Sequence, residues 1–127
     1  MIAIAIPMKE VFGETSNADD FSYAIRDFVD RFNGAPHPSL IEDEPCILAG
    51  KLDDEGVADA WLAATAVYLA NKHGQKPPAW TRDNARALSR PWFGASTPAL
   101  KAILLQESPS SFRVRNLFVS ANVLSRA

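Results

Sequence analysis

A chain of 127 residues, 47% hydrophobic and 22% charged, is one domain's worth of ordinary globular material, which excludes a disordered tail. Its single cysteine, Cys46, excludes an internal disulfide and fits a reducing cytoplasm. The net charge of −2 conceals a gradient: five basic against thirteen acidic residues in 1–74, hence −8, and eight against two in 75–127, hence +6. Such asymmetry is expected of two halves that fold against each other, or of a basic half that meets an acidic or nucleic-acid partner.

From Ile2 to Ile6 isoleucine alternates with alanine, the period of a short strand. Pro7, Lys9 and Glu10 end the run far short of a membrane span, and it lacks the basic start of a secretory signal. Residues 1–14 are expected to form a strand or arm. Thr15, Ser16 and Asn17 then offer helix caps, with Asp19 and Asp20 in the next turn, where acids suit the helix dipole. Phe21, Ile25, Phe28, Val29 and Phe32 share one helical face, opposite Arg26, Asp27, Asp30 and Arg31. The spacing predicts an amphipathic helix over 15–33, stopped by Asn33-Gly34 and Pro36.

Residues 34–50 read as a connector, broken by Pro36, Pro38 and Pro45 and kept wet by Glu42, Asp43 and Glu44, with room for one helical turn between Pro38 and Glu44. Residues 51–127 read as a helical region. Asp53 or Asp54 caps a long helix in which Val57, Trp61, Ala64 and Tyr68 form a stripe beside Leu62 and Leu69. Alanines at 58, 60, 63, 64, 66 and 70 favour helix and allow close approach of neighbours. Lys72 and His73 occupy the last turn, and Gly74 is the expected left-handed stop.

Pro77-Pro78-Ala79-Trp80 is an extended corner. Thr81 is expected to cap a short helix ending near Leu88, and Arg90-Pro91-Trp92-Phe93-Gly94 forms a second aromatic corner. Thr97-Pro98 pairs a cap with proline at the first helical position. That helix would bury Leu100, Ile103 and Leu104, and Ser108-Pro109 would close it. Strict alternation in Phe112-Arg113-Val114-Arg115 predicts a half-buried strand with both arginines outward. Ser120 would cap a last short helix through Leu124. The sum is a mainly α, single-domain helical bundle with at most two short strands, at 2–6 and 112–119.

Chemistry-bearing residues are sparse. His37 stands between prolines, and His73 sits where a helix dipole favours a cation. Neither has a second ligand at metal-binding spacing. Cys46 has no base nearby in sequence and reads as a small buried hydrophobe. Glu42-Asp43-Glu44 lacks the spacing of a calcium loop, and Asp53-Asp54-Glu55 reads as a helix start. No glycine-rich dinucleotide motif, phosphate loop or nucleophile elbow occurs. Catalytic, metal and cofactor residues are therefore not expected.

The aromatic and basic residues are more informative. Trp61 reads as core, whereas Trp80 and Trp92 stand in irregular corners, where they latch loops to a core or line a groove for a partner. Arg82, Arg86 and Arg90 fall at i, i+4 and i+8, a short stripe able to meet phosphates if the segment is helical. A helix-turn-helix over 81–105 would need the turn Arg90-Pro-Trp-Phe-Gly-Ala-Ser-Thr97, too long for that motif.

Several of these residues also carry a resemblance. The run from Trp61 to Ala70, then Pro78-Ala-Trp80, Pro91-Trp-Phe93, Leu100, Ser108-Pro109, Phe112 to Val119, Leu124 and Arg126-Ala127, resembles one bacterial family. It is similar to the domain that follows an Xre-type helix-turn-helix in antitoxin-like regulators, over about residues 57–127. The resemblance implies a protein-contacting module whose partner is a toxin encoded by a neighbouring gene. Residues 1–56 depart from the pattern, because their acidic Phe/Ile helix supplies no helix-turn-helix.

The expectation is a cytoplasmic, non-enzymatic, antitoxin-like interaction protein that binds or neutralises a partner protein. Its contact surface would join Trp80, Arg90, Trp92, Phe93, Arg113 and Arg115, residue types frequent at interface hot spots. A nucleic-acid-binding regulator using the basic half is the second reading, and an enzyme without recognisable motifs the third. Homo-oligomerisation stays open, and no membrane partner is expected.

Overall fold

The computed structural model describes residues 6–13, 15–52, 56–121 and 123–124, and among these the fold is mainly α. The strand expected at 2–6 lies outside the described residues except for Ile6, which belongs to no element. Where an arm was expected, Met8–Gly13 forms helix α1. Pro7 starts it, its carbonyl accepting the N–H of Glu10 at 3.0 Å and of Val11 at 3.1 Å. Met8 and Phe12 are the reason it folds back, for both are fully buried.

Helix α2 spans Ala18–Gly34. Of the three candidate caps Asn17 is used: its side chain accepts the Asp20 N–H at 2.9 Å, and its amide donates to the Asp20 carboxylate at 3.0 Å. Its apolar face buries Ile25, Phe28, Val29 and Phe32 as the spacing required. The Phe12 ring meets those of Phe21 and Phe28 with centroids 5.5 and 6.4 Å away, so α1 and α2 share one aromatic layer. The connector contains the one helical turn it had room for, α3 (Ser39–Glu42), which buries Leu40 and Ile41.

Helix α4 (Val57–Lys72) is the axis of the molecule. Its contacts reach α2, the C-terminal strand and the irregular segments at 79–86. A helix whose sides are mostly alanine and leucine is apolar all round and must be covered all round. Of the stripe Val57, Trp61, Ala64 and Tyr68, Ala64 is fully buried and the other three are only partly so, while Ala58, Ala60, Leu62, Ala63, Ala66 and Leu69 are enclosed. The expected caps Asp53 and Asp54 lie outside the described residues, and the N-cap is Gly56 in the left-handed region at φ 100°. The far end stops as predicted: Gly74 has φ 68°, with Gly74 N–H on Asn71 O and Gln75 N–H on Ala70 O, the Schellman pattern.

The short helix expected at 81–88 is absent. Two 3₁₀ turns, Ala79–Arg82 and Asn84–Arg86, take its place. Between them Asp83 is extended and its side chain accepts the Ala85 N–H at 2.9 Å, which breaks the helical path. Arg82, Arg86 and Arg90 therefore form no stripe: Arg82 and Arg90 are exposed, and Arg86 is 0% exposed.

Helix α5 (Pro98–Glu107) begins as read, with Thr97 accepting the Leu100 N–H at 3.3 Å and Pro98 in the first turn. Its burial differs from expectation. Leu104 alone is buried, whereas Leu100, Ile103 and Leu105 are each 49% exposed.

The segment after α5 narrows the strand expected at 112–119 to Leu117–Phe118 and corrects its first half. Ser110–Arg113 forms one helical turn, α6, and Asn116 adopts φ 63° before strand β2 (Leu117–Phe118). In a helical turn positions i and i+3 share a side, so Phe112 and Arg115 point inward while Arg113 and Val114 point outward. The two arginines are not an outward pair. β2 lies parallel to β1 (Trp92–Phe93), pairing Trp92 with Leu117 and Phe93 with Phe118. The Ser108 hydroxyl ties this sheet to α5: it lies 2.6 Å from Leu104 O and 3.0 Å from Val119 O, and accepts the Val119 N–H at 2.8 Å. The last helix expected at 120–124 is instead a turn closed by the Val123 N–H on Ser120 O, with Asn122 outside the described residues.

Candidate functional site

Behind the surface a set of buried charges joins distant parts of the chain. Asp59, on the first turn of α4, is 1% exposed, and its carboxylate accepts the N–H groups of Leu48 at 2.6 Å and Ala49 at 3.0 Å. The Arg86 guanidinium comes within 3.7 Å of the same carboxylate. It also reaches Glu44 Oε2 through Nε at 3.2 Å and Nη2 at 3.1 Å, donates to Pro45 O, and lies 5.0 Å from the Trp80 ring centroid. One planar fork thus serves two carboxylates, the carbonyls of Pro45 and Asp59 and an aromatic face, which a lysine could not do. Arg86 belongs to the basic part of the chain and Glu44 and Asp59 to the acidic part, so the charge gradient is partly neutralised inside the fold.

This network stands behind a cleft of about 1340 Å³. One wall is the start of α2, with Phe21, Ser22, Ile25 and Arg26. The opposite wall is the run from Ala85 to Trp92. The stretch Ile47 to Leu52 and the first turns of α4, including Trp61, complete it. Asp59 fastens the Leu48–Ala49 backbone to α4, and Arg86 fastens the 84–86 turn to both. Buried hydrogen bonds therefore hold the 47–49 stretch and the 84–86 turn against α4, while the α2 wall is held by its packed apolar face.

The lining is apolar in depth, and among the described residues it includes the exposed arginines Arg26 and Arg90. Phe21, Leu52, Val57, Trp61 and Leu88 pack partly on the core, and Ile47 and Trp92 are exposed. Trp92 meets Trp61 edge-on at 5.9 Å, and Trp61 meets Phe112 the same way at 5.3 Å. Arg26 and Arg90 are exposed and carry no hydrogen bond or ion pair to a described residue. Asp59 is the single acidic residue of the lining among the described residues, and its oxygens are already engaged.

The six residues expected to share a contact surface are divided. Arg90 and Trp92 line the cleft. Trp80 is a latch: its indole N–H donates to Ile41 O at 2.9 Å beneath Arg86. Phe93 stacks on Phe118 at 5.0 Å, and the Lys101 ammonium lies 5.5 Å from its ring centroid. Arg113 is exposed but donates to Gln106 O at 2.9 Å and Ser108 O at 3.0 Å, closing the end of α5. Arg115 is 8% exposed and bridges Ser111 O and Thr81 O, each at 2.8 Å. Desolvation pushes its guanidinium below the ordinary arginine range.

Sequence reasoning missed Arg26, Ile47 and Leu88 as cleft residues. Arg26 did carry a signal: with Ser22 it stands at i, i+4 beside Phe21 and Ile25, on the border of the apolar face. His37 bonds Ser39, His73 bonds Asn33, and neither lines the cleft. Cys46 is exposed rather than buried, its thiol 3.7 Å from Phe12 O. Among the described residues no three His, Cys, Asp or Glu side chains are grouped to hold a metal ion, and no helix is long and apolar enough to cross a membrane. Compared with family models, with curated proteins and with solved structures, the chain finds no match in any of the three.

Proposed function

We propose that this chain is a non-enzymatic protein-binding module that holds a segment of a partner protein in the cleft between α2 and the 85–92 run. The observation that carries the reading is Trp92, an exposed tryptophan beside the exposed Arg90, on a run anchored at its start by Arg86 and at Trp92 by its pairing with Leu117. Rigid aromatic and arginine anchors around a preformed apolar floor are the anatomy of an interface hot spot. The cleft's volume exceeds the roughly 300–1,000 Å³ of ordinary small-molecule pockets, which suits a peptide segment better. The resemblance over residues 57–127 gives the partner its expected identity, a toxin encoded by a neighbouring gene, and neutralisation by occlusion as the mode of action.

The test is co-purification from the native host with cleft and off-cleft variants compared. Trp92→Ala with Arg90→Ala is expected to abolish capture of the neighbouring gene product, and Arg113→Ala to leave it intact. Capture that survives the cleft substitutions would refute the reading.

A further inference from the structure

We infer that helix α5 carries a second interface, on which two copies of this chain pack against each other as an antiparallel, two-fold symmetric pair. The inference stands apart from the docking role proposed above, for no residue of α5 lines the cleft. Ala99, Leu100, Ala102, Ile103, Leu105 and Gln106 are all exposed, with Leu100, Ile103 and Leu105 each exposed by 49%. An ordinary surface helix answers its buried stripe with a charged outer face. The outer face of α5 is instead uncharged. Lys101 stands on the side of the buried Leu104, its ammonium 5.5 Å from the Phe93 ring centroid, and Glu107, at the helix end, accepts the Ala121 N–H at 3.3 Å.

The pattern of this face selects a second copy as its occupant. A two-fold contact sets a patch against its own image, so a charged patch repels itself and an uncharged one does not. Ala99, Ala102, Ile103 and Gln106 follow at i, i+3, i+4 and i+7, the seam along which a helix pairs. With the two-fold axis midway along the helix, Ala99 of one copy meets Gln106 of the other, and Ala102 meets Ile103. Small thus faces large in each layer, while Leu100 and Leu105 close the two flanks. The antiparallel arrangement also sets Glu107 of one copy beside the positive N-terminal end of the other copy's α5, where an acid is favoured. A foreign partner would require none of these internal matches. Ten residues make a helix about 15 Å long that buries on the order of 500 Å² per copy, short of the roughly 800 Å² of a standard interface, so the pair forms only at high concentration.

The experiment is sedimentation velocity on the full chain from about 5 to 500 μM, for wild type, Ile103→Glu and Ile103→Lys, each checked for fold by circular dichroism. Wild type should pass from monomer to dimer across this range. Each charged variant should associate about tenfold more weakly or not at all, because like charges then meet at the axis. An equimolar mixture of the two variants should dimerise again. Ala99→Glu, at an exposed alanine, repeats the test without removing a packed atom and should also stay monomeric. A wild type that remains monomeric throughout would overturn the inference. A dimer that survives every substitution, or a mixture that stays monomeric, would overturn it as well, since the contact would then lie elsewhere. Protection of residues 98–107 from hydrogen exchange only in complex with the neighbouring gene product would give the face to that partner instead.

Discussion

Arg86 Nη1 and Asp59 Oδ1 lie 3.7 Å apart in the interior, on side chains 0% and 1% exposed, while the same carboxylate holds Leu48 N–H at 2.6 Å. The pair is less an isolated salt bridge than a junction where three backbone segments meet. Removing one member of such a junction strands the others. Arg86→Ala is expected to destabilise the fold by about 3–5 kcal/mol, the range for an uncompensated buried charge. Arg86→Lys should recover only part of this, because an ammonium cannot reproduce the fork. Urea denaturation of the two variants checks both statements, and a loss below about 1 kcal/mol for Arg86→Ala would count against the junction.

Arg113 and Arg115 are near neighbours in sequence with different duties. Arg115→Ala leaves Ser111 O and Thr81 O buried without their donor, for an expected loss of about 2–4 kcal/mol at roughly 1–3 per group, partly relaxed. Arg113 bonds two carbonyls from an exposed position, so Arg113→Ala should stay within about 1 kcal/mol. Arg115→Glu is consequently unusable as an interface probe, since it would set an acid against two carbonyls in the core. Thermal melts of the two alanine variants separate these cases.

How much of this was legible beforehand divides along a physical line. Local grammar was readable: the aromatic face of α2, the Thr97-Pro98 start and the Gly74 stop each depend on a few adjacent residues. Arg86 was not readable, because Glu44 and Asp59 are 42 and 27 positions away. The misreading at 112–115 has a different origin. Over four residues, a period of two and an i, i+3 pair both place residue 112 inward, and only Pro109 and the left-handed Asn116 decide for a helical turn. The cleft combined both difficulties, for Trp92 and Arg90 were noticed while Arg26 looked like ordinary solvent-facing charge.

Trp61 and Trp80 should respond oppositely to the same change. The Trp61 indole N–H is buried without an acceptor, so Trp61→Phe keeps much of the ring packing and removes an orphan donor. Its stability is expected within about 1 kcal/mol of wild type. Trp80→Phe loses the bond to Ile41 O and weakens the contact with Arg86, for an expected loss of about 1–3 kcal/mol. Chemical denaturation reports both.

Helix α5 hangs on one side chain. Leu104→Ala removes its single buried residue and should release the helix, with a loss of about 2–4 kcal/mol. Leu100→Gln or Ile103→Gln changes half-exposed positions and should alter stability by less than about 1 kcal/mol. Hydrogen exchange across 98–107 reads the result directly: fast exchange after Leu104→Ala, near-native protection after the glutamine substitutions.

Because Asp59 and Arg86 tie the 47–49 stretch and the 84–86 turn to α4 from behind, the exposed side chains of those segments bear little of that task. Ile47, Arg90 and Trp92 are free to change between versions of this chain while the frame stays put. A lineage built on this fold could exchange one partner for another through a handful of replacements, as a lock is re-keyed by new pins in an unchanged housing.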